Sequence, residues 1–149
     1  MSIKKELQEF CQEYVKERTK RIQDSISNIQ ESLASETKSS AGDKHETGRA
    51  MLQLEREKLG QQLLEVERMA IILSRISISM RTNAVLLGSL VKTSKRDYFL
   101  AISAGAYEGA SNPIYCISRA APIGKLLLGK SIGDVVDFDG EKIRISEIL

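Results

Sequence analysis

The chain has 149 residues, 42% hydrophobic and 28% charged, enough for one ordinary domain or two small ones. Its formal net charge of +2 falls well short of the basic excess of a phosphate-tracking domain, so charge marks no general nucleic-acid binder. No run approaches the roughly 18 uninterrupted apolar residues that a spanning helix needs, so no membrane association is expected.

The opening residues, Met1-Ser2-Ile3-Lys4-Lys5-Glu6, lack the apolar stretch of a secretory signal and lead straight into a helical pattern. Cys11 and Cys116 are the two cysteines, far apart in the chain, which suits reduced thiols in a cytoplasmic protein better than a disulfide framework. Composition shifts along the chain. Residues 1–80 are dense in Glu, Lys, Arg and Gln, whereas Pro113, Pro122 and all the aromatics except Phe10 and Tyr14 lie beyond them. The shift predicts two domains, 1–80 and 81–149.

Within the first, Ile3, Leu7, Phe10, Tyr14, Ile22, Ile26, Ile29 and Leu33 step by three and four, the stripe of one helix face. The stripe lapses around Arg18. Leu52, Leu59, Leu63, Val66, Ala70 and Leu73 repeat the spacing in a second helix. Helices this polar bury little alone, since helical stability comes mainly from packing one apolar face, so an antiparallel coiled-coil hairpin is expected. Arms of about 30 residues make a rod of roughly 45 Å at about 1.5 Å per residue.

Between the arms, residues 41–48 form a polar break, Ala-Gly-Asp-Lys-His-Glu-Thr-Gly, with Asp43 and Glu46 three positions apart. These acids fit the N-cap and N3 positions of a capping box that closes the second helix, and spacing alone favours that role. Held at the far end of a rod, they are also placed to reach into a partner. Lys38, Lys44 and Arg49 are read as solvated charges first, and as contacts to a polyanion second.

The second domain reads as a small antiparallel sheet with one short helix, an α+β fold for the whole chain. Residues 86–93, 98–103, 114–118, 135–138 and 142–148 are short β-branched and aromatic runs separated by Gly, Asn, Asp and Ser. Pro122, two turns of apolar residues and Gly129 describe the helix, with Leu126, Leu127 and Leu128 expected in the core. Asp139-Gly140 signals a tight hairpin. Cys116, flanked by Tyr115 and Ile117, reads as a small packed residue.

The run Ile117-Ser118, then Ala121-Pro122-Ile123-Gly124-Lys125-Leu126-Leu127-Leu128-Gly129-Lys130 and Gly133-Asp134-Val135-Val136, resembles the C-terminal signature of the Gre transcript-cleavage factors of bacterial RNA polymerase. Gly42-Asp43-Lys44-His45-Glu46 is similar to the Gly-Asp-x-x-Glu pattern at that family's coiled-coil tip. The resemblance covers nearly the whole chain. It implies a coiled-coil hairpin followed by an FKBP-like domain, and a transcription elongation factor whose partner is RNA polymerase. The hairpin would enter the secondary channel, where Asp43 and Glu46 help hold a Mg²⁺ shared with the polymerase active site, near the backtracked RNA 3′ end. Hard Mg²⁺ takes oxygen ligands and keeps several waters, so one or two added carboxylates suffice. The protein would then have no active site and no cofactor of its own, and would act as a monomer. Lys44, His45 and Arg49 become candidates for RNA or channel contact, and Pro122 with Ile123 for docking on the channel rim. Pro122 as a plain helix start stays open. The family often has an apolar residue after the tip Asp and Asn after the tip Glu, where this chain has Lys44 and Thr47.

Two alternatives accompany this reading: a channel regulator of the same shape without cleavage, and a stand-alone isomerase or thiol acyl-transfer enzyme. An isomerase pocket would draw on Tyr98, Phe99, Tyr107, Tyr115 and Phe138. A Cys/His site would need His45 beside a cysteine, and the predicted layout separates them.

Overall fold

A computed structural model describes residues 2–38 and 43–149, with side chains for 2–35 and 46–149. The described residues form helices α1 (Ile3–Lys38), α2 (Asp43–Ser74) and α3 (Pro122–Leu127). The strands are β1 (Leu90–Thr93), β2 (Asp97–Ala101), β3 (Gly105–Tyr107), β4 (Ile114–Ser118), β5 (Val135–Phe138) and β6 (Glu141–Ile148). This is the expected α+β arrangement, two long helices followed by a small sheet and a short helix. By contacts the chain divides into two compact units, Val15–Ala70 and Met1–Tyr14 with Ile71–Leu149.

In the unit Val15–Ala70, α1 and α2 pack as an antiparallel pair. Ile22, Ile26 and Val66 are buried together, with Val15, Leu59 and Leu63 packed against them. The stripe read from the sequence supplies most of this seam. Ala70 departs from it: it is exposed, and Met69 beside it is half-buried. A short alanine on the edge of the stripe loses little by facing water. Lys20 and Asp24 form an exposed ion pair one turn apart, worth a few tenths of a kcal/mol.

In the other unit the strands form a six-stranded sheet in the order β3-β4-β2-β1-β6-β5. The expected antiparallel pairing holds for β1 with β2, β1 with β6, β3 with β4 and β5 with β6. It fails once: β4 lies parallel to β2, Phe99 opposite Cys116. The cause is β3, an edge strand missed in the sequence because it is three residues long. Residues 102–113, with β3 inside them, carry the chain to the outside of the sheet and back, the dozen or so residues a parallel return needs.

The expected strand 86–93 begins at Leu90 instead. Gly88 stands at φ +91°, and Ser89 Oγ accepts a hydrogen bond from the Leu86 amide, so residues 86–89 turn. The Asp139-Gly140 hairpin is present, both residues at positive φ between Phe138 and Glu141, as a type I′ turn requires.

Both faces of the sheet are covered. On one, Val91, Tyr98, Leu100, Val136, Ile143 and Ile145 meet Ile123 and Leu127 of α3. On the other, the first turns of α1 pack through Leu7, Phe10 and Cys11, with Phe10 edge-on to Tyr107 at 5.5 Å between ring centroids. The central strand β2 is therefore buried on alternate residues in both directions, which explains its unbroken run Tyr98-Phe99-Leu100-Ala101-Ile102. The three leucines separate: Leu127, the last residue of α3, is in the core, whereas Leu126 and the C-cap residue Leu128 are 37% and 41% exposed. A two-turn helix can turn one of three consecutive residues inward.

Candidate functional site

The candidate residues named from the sequence fall at two places, the start of α2 and the start of α3. At the first, α2 begins at Asp43. The segment 39–42 and the side chains of Asp43, Lys44 and His45 lie outside the described residues, so the capping box does too. Glu46 stands in the first helical turn with its side chain exposed. A carboxylate there is favoured by the helix dipole and remains open to solvent. Thr47 is exposed beside it.

Arg49, one turn on, is half-buried and aims across the hairpin. Its Nη1 donates a 3.2 Å hydrogen bond to the carbonyl oxygen of Leu33 in α1. The bond ties the two helices together near the start of α2, a structural use for a residue that the sequence offered as a contact to RNA. A charge-assisted bond of this kind steadies the backbone on which Glu46 sits.

Among the described residues no group of three or more His, Cys, Asp or Glu side chains gathers as a metal site. The donor chemistry at Glu46 suits a hard cation, since carboxylate oxygen is what Mg²⁺ prefers, and a single described carboxylate makes a fragment of a coordination shell.

At the second place, Pro122 occupies the first turn of α3 and its ring is exposed, after Ala121 in extended conformation. Ile123, the other docking candidate, is 7% exposed and sits in the core cluster. The exposed leucines of this stretch are Leu126, one turn after Pro122, and Leu128 at the end of the helix. Several residues of the C-terminal signature serve the fold directly. Gly124 lets α3 approach the end of β4, Gly129 at φ +82° donates its amide to Val85, and Asp134 Oδ2 accepts from the Ser131 amide at 2.8 Å. The signature is in large part a packing signature.

The aromatics proposed for an isomerase pocket are used in packing: Tyr98 and Phe99 are buried, and Tyr107 carries Phe10. Tyr115 flanks a cavity of about 340 Å³ whose other walls, apart from Pro113, are polar, Thr93, Ser94, Arg96, Asp97 and Asn112 among them. No helix among the described residues is long and apolar enough to cross a membrane.

Sequence reasoning missed one juxtaposition. Cys11 and Cys116, read as separate, meet between α1 and β4 with both thiols free and buried. Cys11 stands four positions after Leu7 on the face of α1 that meets the sheet, and that periodicity was the signal available.

No protein-family model matches this chain, and no curated protein matches it. Three solved chains do. One, described as the structure of the transcription factor Gfh1, is 23% identical over 95% of this chain and 92% of that chain, with a TM-score of 0.35.

Proposed function

We propose that this chain is a transcription elongation factor that binds RNA polymerase, inserts its hairpin into the secondary channel and stimulates the polymerase's own cleavage of backtracked RNA. The observation that carries this reading is the acid pair Asp43 and Glu46, at the start of α2 and directly after the segment that follows a 36-residue helix. The resemblance of the tip and of residues 117–136 to Gre factors supports it from two separated stretches of sequence. In this reading the protein lends Asp43 and Glu46 as oxygen ligands to a Mg²⁺ held mainly by the polymerase, which positions water for attack on the RNA backbone. Lys44 and His45 face RNA phosphate, and Pro122 with its neighbours docks at the channel rim. The domain division 1–80 and 81–149 belongs to the same proposal, a probe and a dock, acting as a monomer in the cytoplasm.

The test is addition of the protein to a stalled elongation complex of its host polymerase. RNA shortening that requires Mg²⁺ and is lost with Asp43→Ala plus Glu46→Ala, while binding persists, is the expected result. Shortening that survives the double substitution sinks the mechanism. Lys44 and Thr47, which replace the apolar residue and Asn of the family pattern, favour a second reading, a channel regulator that blocks or tunes the polymerase without cleavage. Slowed transcription with no change in RNA length would select it.

A further inference from the structure

The first turns of α1 are fastened to the sheet at two adjacent residues. Phe10 stacks edge-on against Tyr107 of β3, with ring planes at 68°. Cys11, the next residue, reaches β4. There its side chain meets that of Cys116, which stands in register with Phe99 of β2 and Gly105 of β3. The thiols are 0% and 2% exposed, are both reduced, and hydrogen-bond each other. Two sulfurs from elements distant in sequence thus lie in contact inside a packed layer, with no metal-ligating third residue beside them among the described residues.

The pair is polarised. The hydrogen bond from Cys116, helped by one from the Ile102 backbone, holds Cys11 below the ordinary thiol range against the opposing effect of burial. The same bond, followed by burial, pushes Cys116 up. Each thiol is therefore influenced first by the other, the pairing that an attacking and a resolving cysteine require.

We propose that Cys11 and Cys116 are a redox modification site, forming an intrachain disulfide that clips α1 to β4 when the protein meets a hydroperoxide. The Cys11 sulfur attacks a peroxide oxygen and the O–O bond breaks. The departing oxygen takes a proton and leaves as water or alcohol, and Cys11 becomes a sulfenic acid. The Cys116 sulfur then attacks the Cys11 sulfur, the S–O bond breaks, and the hydroxyl leaves as water with the Cys116 proton. Two electrons and two thiol hydrogens leave the protein, and the peroxide is reduced. The burial of both sulfurs sets the rate through local opening of the first turns of α1, not through diffusion of the oxidant. Once formed, the clip closes a long loop of chain and so restricts the unfolded ensemble strongly.

The test uses the full chain, reduced, then exposed to hydrogen peroxide under native conditions. Thiol titration after denaturation is expected to fall from the two cysteines of the sequence to none. Intact mass drops by two hydrogens, and the peptides bearing Cys11 and Cys116 travel joined until dithiothreitol parts them. The oxidised chain melts several degrees higher, and reduction reverses the rise. Retention of both thiols, oxygen adducts in place of the lost hydrogens, or disulfides between chains would overturn the proposal. Cys11→Ser and Cys116→Ala should each remove the mass change and the thermal shift. Because the wild-type mass and peptide data decide the matter alone, a variant that folds poorly leaves the test intact.

Discussion

The carbonyl oxygen of Ser118, at the end of β4, occupies the space that a Cβ on Gly124 would need. The obstacle is backbone, not the end of a flexible side chain, so it yields only if α3 moves off the sheet. Ile123 and Leu127 are carried by the same short helix and would be drawn out of the core with it. Gly124→Ala should therefore cost about 3 kcal/mol, at the upper end of ordinary overpacking. Urea unfolding checks the figure, and a loss below 0.5 kcal/mol, the size of a neutral surface change, would mean that α3 is free to shift.

Lys4 makes stability depend on alkaline pH. It is 7% exposed, and its Nζ donates to the carbonyl oxygens of Met80 and Leu149 at 3.3 and 3.2 Å. Burial, and then the neighbouring charge of Arg81, lower its pKa from the ordinary 10.5. Between the folded value and 10.5 the unfolded chain holds more protons than the folded one, so unfolding free energy rises with pH there. The cost of the buried charge is present in full below the folded pKa and is relieved as pH climbs through it. Lys4→Met removes the titration and leaves both carbonyls without that donor, a loss of about 1–3 kcal/mol. Denaturant titrations of both proteins should show the gap widening in favour of the wild type as pH rises toward 10.5. A gap that stays flat would show that Lys4 titrates alike in the folded and unfolded chain.

The features legible in the sequence were those with a period or a fixed turn chemistry. Leu7, Ile22, Ile26, Ile29, Val66 and Leu73 declared a helix face by spacing, and all six are buried. Asp139-Gly140 declared a hairpin through the positive φ that both positions adopt. What stayed hidden depended on neighbours remote in sequence. The parallel pairing of β4 with β2 has no local signature, because it is set by where a three-residue edge strand falls. Cys11 read as an isolated reduced thiol because its partner, Cys116, is remote in sequence and lies in the sheet. Arg49 read as a free cation because the carbonyl it bonds belongs to the other helix. At the start of α2, the sequence names the acids Asp43 and Glu46, while the side-chain geometry that would join them lies outside the described residues.

The hairpin seam supplies a prediction of its own. Val66 is 1% exposed and fills the space beside Ile22 and Ile26. Val66→Ala removes two buried carbons, worth about 0.8 kcal/mol each, and leaves a small void beside Ile22 and Ile26. A loss of about 2 kcal/mol is expected. Helical circular dichroism during thermal unfolding is the measurement, and an unchanged midpoint would show that the seam is held by its charged flanks.

The surface of α3 separates packing from recognition. Leu126, one turn on from the exposed Pro122, and Leu128, just past the end of the helix, are exposed, while Ile123 and Leu127 face the core. If this surface docks on RNA polymerase, as the proposed function holds, polar replacements of the outward leucines should weaken binding without harming the fold. Leu126→Ser plus Leu128→Ser is expected to lower unfolding free energy by about 1 kcal/mol, the upper end of the surface range for each of two substitutions. Loss of a desolvated apolar anchor costs at least about 1.4 kcal/mol of binding, a tenfold rise in Kd. Ile123→Ser makes the opposite pattern: it buries an unpartnered hydroxyl and removes core volume, so stability falls first and any loss of binding follows from unfolding. Binding to the host polymerase, measured by fluorescence anisotropy alongside the melting temperature of each variant, distinguishes the two. Undiminished affinity in the folded double-serine variant would take α3 out of the docking surface and leave Pro122 as a helix start.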